Sequence, residues 1–286
     1  MFDTVGRAMA MLSDLQRAPG APAPARPVGL PLAVERVRTF ATPEFAGMTF
    51  LEVEAKSALN RVKGMPFAWS INPYRGCSHA CSYCFARPTH AYLNLSPLED
   101  FERTVVVKTN VAEVLRRELA RPSWRGEHVA MGTNTDPYQR CEGRYALMPD
   151  IVDVLAEGRT PFSILTKGTL ITRDLKRLAE AAQVVEVGAA LTVGMLDEAL
   201  WRSSEPGTPS PRARLAAVRA LNDTGIPTGV MLAPIMPGLN DDAEQLAALV
   251  DAAVRAGAVH VSPIVLHLRP GVREVFWPWL TAHHPE

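Results

Sequence analysis

From about residue 67 the chain alternates short, unbroken apolar runs with longer segments in which apolar residues recur at helical spacing. The runs span 67–72, 104–108, 128–132, 162–166, 184–193, 228–235 and 258–266. Each is continuous rather than alternating, the pattern of a strand buried on both faces of a parallel sheet. Helix signals lie between the runs. Asn110, with Glu113 three residues on, has the form of a capping box. Ser210-Pro211 opens a second helix that Gly225 closes. Asn240 opens a third that Gly257 closes, with Leu246, Leu249, Val250 and Val254 as its apolar stripe. Repeated strand–helix units imply right-handed crossovers and a parallel sheet. Six or seven units predict an α/β fold, an incomplete (β/α)6-type barrel of parallel strands with an N-terminal extension. A flat doubly wound sheet is the alternative.

Upstream the pattern thins. Residues 4–17 carry a short amphipathic helical pattern, and 18–31 (APGAPAPARPVGLP) reads as an extended Pro/Ala-rich linker. A strand is expected at 49–53. The predicted division is a flexible N-terminal segment over 1–45 and a barrel over 46–286.

Composition narrows the function classes. A chain of 286 residues that is 47% hydrophobic has ample core for one large domain. Lysine plus arginine equal aspartate plus glutamate at 30 each, so the global basic field of a nonspecific nucleic-acid binder is absent. A local patch stays open: Arg75, Arg87, Arg140 and Arg144 as a basic rim, with Trp124 or Tyr138 to stack on an extruded base. No apolar run approaches the ~18 residues that cross a bilayer. The N-terminus also lacks a basic stretch followed by an apolar core. The expectation is a cytoplasmic protein without a membrane partner.

The unusual polar residues follow the runs, where parallel α/β folds place their active sites. NPYRGCSHACSYCFARPTH follows the first run, TNTDPYQRCE that at 128–132, and Thr166-Lys167-Gly168 ends the next. Of four cysteines, Cys77, Cys81 and Cys84 crowd into one stretch, which suits a metal site better than a disulfide framework. Structural zinc takes four ligands, typically as two pairs; no second pair exists, and His79 is poorly placed to join its own loop's thiols. Iron–sulfur clusters are held by cysteine. Either Cys141 supplies a fourth ligand, or one iron stays open.

The C-x3-C-x2-C spacing, with Tyr83 before the last cysteine, resembles that of radical S-adenosylmethionine (SAM) enzymes. KSALN, NPYRGCSHACSYCFARPTH, GTNTDPYQ, ILTKG, EPGTPSPRARL and APIMPGLND extend the resemblance to the uncharacterised branch grouped with spore photoproduct lyase. The resemblance implies a [4Fe–4S] cluster on Cys77, Cys81 and Cys84, with SAM chelated by the open iron. It implies reductive cleavage of SAM to a 5′-deoxyadenosyl radical, fed by an electron donor such as flavodoxin or ferredoxin. It places Tyr83 near the adenine, Thr135-Asp136 near the SAM amino group, Lys167 at the SAM carboxylate, Thr192 at the ribose, and Pro234 and Ile235 beside the adenine. Ala190 stands where the family often has serine. The substrate is unidentified; a nucleic-acid lesion, and lyase chemistry, are what this branch suggests.

Thr133 stands where spore photoproduct lyase has its hydrogen-donating cysteine. Cys141 is the candidate substitute donor, and Tyr138 a second candidate at the mouth. The rival reading is a non-catalytic electron-transfer or redox- or iron-sensing protein with Cys141 as fourth ligand. The chain ends at TAHHPE where relatives usually continue, so a shortened C-terminal tail is expected.

Overall fold

The computed structural model describes residues 30–285; the helical pattern expected at 4–17 lies outside the described residues. Among the described residues eleven strands form two sheets. In chain order they are β1 (Val34–Arg38), β2 (Thr49–Val53), β3 (Leu59–Arg61), β4 (Trp69–Ile71), β5 (Tyr74–Arg75), β6 (Thr104–Lys108), β7 (Val129–Met131), β8 (Phe162–Thr166), β9 (Val187–Thr192), β10 (Thr228–Ile235) and β11 (Val261–Val265). The larger sheet has the order β11-β10-β9-β8-β7-β4-β3. From β4 to β11 every neighbouring pair is parallel, and β3 adds an antiparallel edge. Six parallel strands in this order make the incomplete barrel that the apolar runs predict.

The run at 104–108 is a strand, but not a barrel strand. It lies in the smaller sheet, β1-β2-β6-β5, paired parallel to β2 and antiparallel to β5. Burial on both faces produces the same continuous apolar run in either sheet. The segment expected to be flexible carries β1 and a helical turn at Pro43–Phe45 in its described part. β1 pairs antiparallel with β2, so the N-terminal extension is built into this second sheet.

Helices Val111–Leu119, Leu147–Glu157, Leu175–Ala181, Pro211–Asp223 and Ala243–Arg255 separate the barrel strands. Their apolar faces meet the strands in one large core that includes Leu115, Ile151, Leu155, Leu178, Leu221 and Leu249. Ser210 caps its helix as expected, accepting from the Ala213 amide at 3.2 Å. Two caps are realised differently. Asn110 stands at the predicted N-cap, but its side chain brackets Ala55, accepting from the amide at 2.7 Å and donating to the carbonyl at 3.2 Å. Asp242, not Asn240, caps Ala243–Arg255; Asn240 is buried and donates to Gly194 and Pro234. In that helix Leu249 and Ala253 face the core, while Val250 and Val254 are exposed at 37% and 63%.

Candidate active site

Strand β4 ends at Ile71, and the chain passes through β5 before reaching Gly76 and the cysteine loop. Gly76 has φ +82°, and a Cβ there would stand 2.8 Å from the carbonyl oxygens of Phe101 and Thr104. Only glycine satisfies both conditions. The loop that follows is tied down from several sides. Gln139, wholly buried, accepts from the Ser78 amide at 2.8 Å and donates to the Gly76 carbonyl at 3.1 Å. The Thr135 hydroxyl donates to the same carbonyl at 2.7 Å. Arg87 donates through Nε and Nη2 to the Cys81 carbonyl at 3.3 and 3.2 Å, and pairs with Glu102 at 2.5 Å. From the far side, the Ser82 amide donates to Ser204 O at 2.9 Å and the Gly207 amide to His79 O at 3.0 Å. Gly207 sits so close that a Cβ would lie 2.0 Å from Ser78 O.

Cys77, Cys81 and Cys84 are free thiols on the wall of a cavity of about 190 Å³ at the C-terminal ends of the barrel strands. Tyr83, Thr135, Asp136, Lys167, Thr192 and Pro234 line the same cavity, together with Thr133, Met231 and Ala233. Residues at the ends of five separate runs therefore converge on one mouth. Ile235 is not among the lining residues.

The charged groups are held in fixed relations. Asp136 accepts from the Lys167 amide at 2.7 Å, the Thr166 hydroxyl at 2.5 Å and the Tyr138 amide at 2.9 Å, and His79 Nδ1 lies 3.3 Å away. Burial pushes the Asp136 carboxyl up, but His79 and these hydrogen bonds outweigh it and hold it below the usual carboxylate range. Lys167 Nζ lies 5.6 Å from the Tyr83 ring centre and 3.9 Å from Glu205. Glu205 is itself fully buried, hydrogen-bonded by the Tyr83 hydroxyl and by Arg214. Arg214 also donates to Thr192 O at 2.8 Å and Pro209 O at 2.9 Å. Sequence reasoning singled out Lys167 and Tyr83. It did not assign Gln139 or Arg214, and it read Arg87 only as part of a basic rim, although all three stand inside the quoted motifs.

Other sequence candidates lie elsewhere. Cys141 is wholly buried in a separate cluster with Phe45, Phe50, Tyr74, Val105 and Val107, and burial pushes its thiol up. It does not line the cysteine cavity, as a donor or fourth ligand would. Tyr138 is buried and donates to Asp174 at 3.1 Å, so its ring is not available to stack on a base. Trp124 packs on Trp69 at 5.5 Å and donates to Thr160, at the opposite ends of the strands. Arg87 is 1% exposed, inside the loop rather than on a rim. Arg140 and Arg144 do reach the surface, beside Glu44.

The donor set fits a polynuclear iron–sulfur centre. Three cysteines spread around one cavity suit a cluster, in which each thiolate binds its own iron. Burial pushes all three thiols up, and the positive charge of a bound metal would favour their thiolate forms.

Comparison with known proteins gives the family of the chain. Residues 71–250 match the radical SAM superfamily. An uncharacterised protein of Mycobacterium tuberculosis is 55% identical over 253 residues, covering 87% of this chain and 74% of its own length. One of Methanocaldococcus jannaschii is 30% identical over 191 residues, covering 67% and 69%. Among solved structures, a spore photoproduct lyase variant superposes with a TM-score of 0.66 at 14% identity, over 98% of this chain and 79% of that one. Another, holding AdoMet and dinucleoside spore photoproduct, gives 0.61 at 14% identity, over 83% and 66%. At that identity the likeness establishes the fold. On the match over its barrel, with three cysteines on the first loop of that barrel, the chain belongs to the radical SAM superfamily and is one of its enzymes.

Proposed function

We propose that Cys77, Cys81 and Cys84 hold a [4Fe–4S] cluster whose remaining iron binds SAM, and that the enzyme abstracts hydrogen from a substrate at the cavity mouth. The observation that carries this reading is the convergence of three free thiols, Lys167 and an apolar Pro234 wall on one cavity. When bound and reduced by a small electron carrier, the cluster and SAM supply a 5′-deoxyadenosyl radical; the protein supplies binding and orientation. Lys167 offers an ammonium to the SAM carboxylate. Tyr83 and Pro234 flank the adenine, and Thr192 lies on the ribose side. Asp136 sets Lys167 through its backbone amide, a positioning role that adds to any contact with the SAM amino group.

A nucleic-acid lesion is the substrate class suggested by the likeness to spore photoproduct lyase. The fate of the product radical differs here. The cavity's cysteines are the three proposed ligands, and the Thr133 hydroxyl, which donates to Asn72 at 3.3 Å, has too strong an O–H bond to surrender hydrogen to carbon. Hydrogen returned from a wall thiol is therefore not the expected route.

The test is spectroscopic. Anaerobic reconstitution should give about four irons and four sulfides per chain and a reduced cluster whose paramagnetic resonance signal moves when SAM is added. An unmoved signal from an intact cluster would overturn the open-iron assignment.

A further inference from the structure

Neither Glu205 nor Arg214 lines the cysteine cavity, yet both are almost wholly buried directly behind Lys167. Lys167 is the one lysine or arginine among the described residues lining that cavity. Its neighbouring counter-charge is Glu205, 3.9 Å away. Left alone, a buried carboxylate at that distance would cancel the ammonium and repel any carboxylate brought to it. Arg214 changes this. Its guanidinium donates to the other oxygen of Glu205, while the Tyr83 hydroxyl shares the oxygen facing Lys167. The three charged groups sum to one positive charge, and Lys167 carries it to the cavity wall. Stability is a weak explanation for a buried arginine–glutamate pair, because desolvation offsets most of the attraction.

We propose that Arg214 is a positioning residue that neutralises Glu205, leaving the Lys167 ammonium free for the carboxylate of a ligand in the cysteine cavity. The inference rests on the radical SAM reading, in which that ligand is SAM. Burial pushes the Glu205 carboxyl up, but Arg214 and Lys167 more than compensate and hold it ionised, consistent with a carboxylate that needs a standing counter-charge.

The test compares SAM with 5′-methylthioadenosine, which keeps the adenosine and lacks the carboxylate. Binding is measured by anaerobic equilibrium dialysis to the cluster-loaded protein. Arg214→Met should weaken SAM at least about tenfold, the lower end of a charge-assisted hydrogen bond, and leave 5′-methylthioadenosine nearly unchanged. Glu205→Gln in the Arg214→Met background removes the orphaned charge and should restore SAM to within about threefold of wild type. If Arg214→Met does not fold, the double variant still decides the matter: SAM lost while 5′-methylthioadenosine is kept would overturn the proposal. Equal weakening of both ligands by Arg214→Met would also overturn it, since that is the result of a damaged wall. Wild-type protein that binds no SAM would remove the radical SAM reading and this inference together; wild-type binding with Arg214→Met unaffected would remove the inference alone.

Discussion

Gly207 shows how much of this site is set by single residues outside the cavity. Its missing side chain lets the loop that leads into helix Pro211–Asp223 lie on Ser78 and His79, and a methyl group there would collide with Ser78 O. Gly207→Ala should therefore leave the barrel folded, with unchanged circular dichroism, yet reduce iron retained after reconstitution severalfold. Cys141 gives the opposite expectation. Cys141→Ala should keep full iron content and cost about 1 kcal/mol in urea unfolding, the typical loss for a small buried truncation; loss of the cluster would favour the fourth-ligand rival. Lys108 makes a pH prediction. Burial, helped by Arg75, pushes its ammonium from the ordinary 10.5 down to about 8. At Lys108 the folded protein then binds fewer protons than the unfolded chain between those values, so the contribution of this one group to stability rises as pH increases from 8 to 10.5, against the opposite contribution of the buried thiols whose titration burial pushes up. The urea midpoint of Lys108→Met, taken relative to wild type, should therefore fall as pH rises from 8 to 10.5; a difference that stays constant across the window would contradict this. Cysteine spacing and Lys167 were legible because they are chemistry written in order along the chain. The Glu205–Arg214 pair was not, because nothing in EPGTPSPRAR says which charged side chains turn inward.

At the scale of the element, the sequence reports burial better than it reports partners. The run at 49–53 is a strand at those residues, and 162–166 and 228–235 likewise. The run at 104–108 reads the same way, but its partner β2 is remote in the chain and no local pattern names it. The helix Ala243–Arg255 illustrates a second limit. Large Val250 and Val254 suggest a buried stripe, whereas the helix docks through Leu249 and small Ala253, which permits close approach. Leu249→Ala should cost about 2–5 kcal/mol, as buried leucines do, while Val254→Lys should stay within about 0.5 kcal/mol. Asn110 and Asn240 carry cap signatures but spend their amides on distant backbone, a use that requires knowing the tertiary fold.

Across the whole molecule, two sheets meet at the cysteine loop. β5 belongs to the smaller sheet and β4 to the barrel, so the loop is anchored by both before it enters the cavity. Gln139 and Thr135 hold it from the β7 side, Gly207 and Ser204 from the β9 side. The result is a group of three thiols fixed to rigid elements, with Lys167 lining the same cavity over the Tyr83 ring and an apolar wall from β10. Membership of the radical SAM superfamily predicts that this enzyme cleaves SAM. The most direct test is to reduce the reconstituted protein with SAM under anaerobic conditions and quantify 5′-deoxyadenosine by chromatography, with Cys84→Ala and Cys141→Ala in parallel. 5′-Deoxyadenosine from wild type and Cys141→Ala, and none from Cys84→Ala, is the predicted result. None from wild type with an intact, reducible cluster would contradict it.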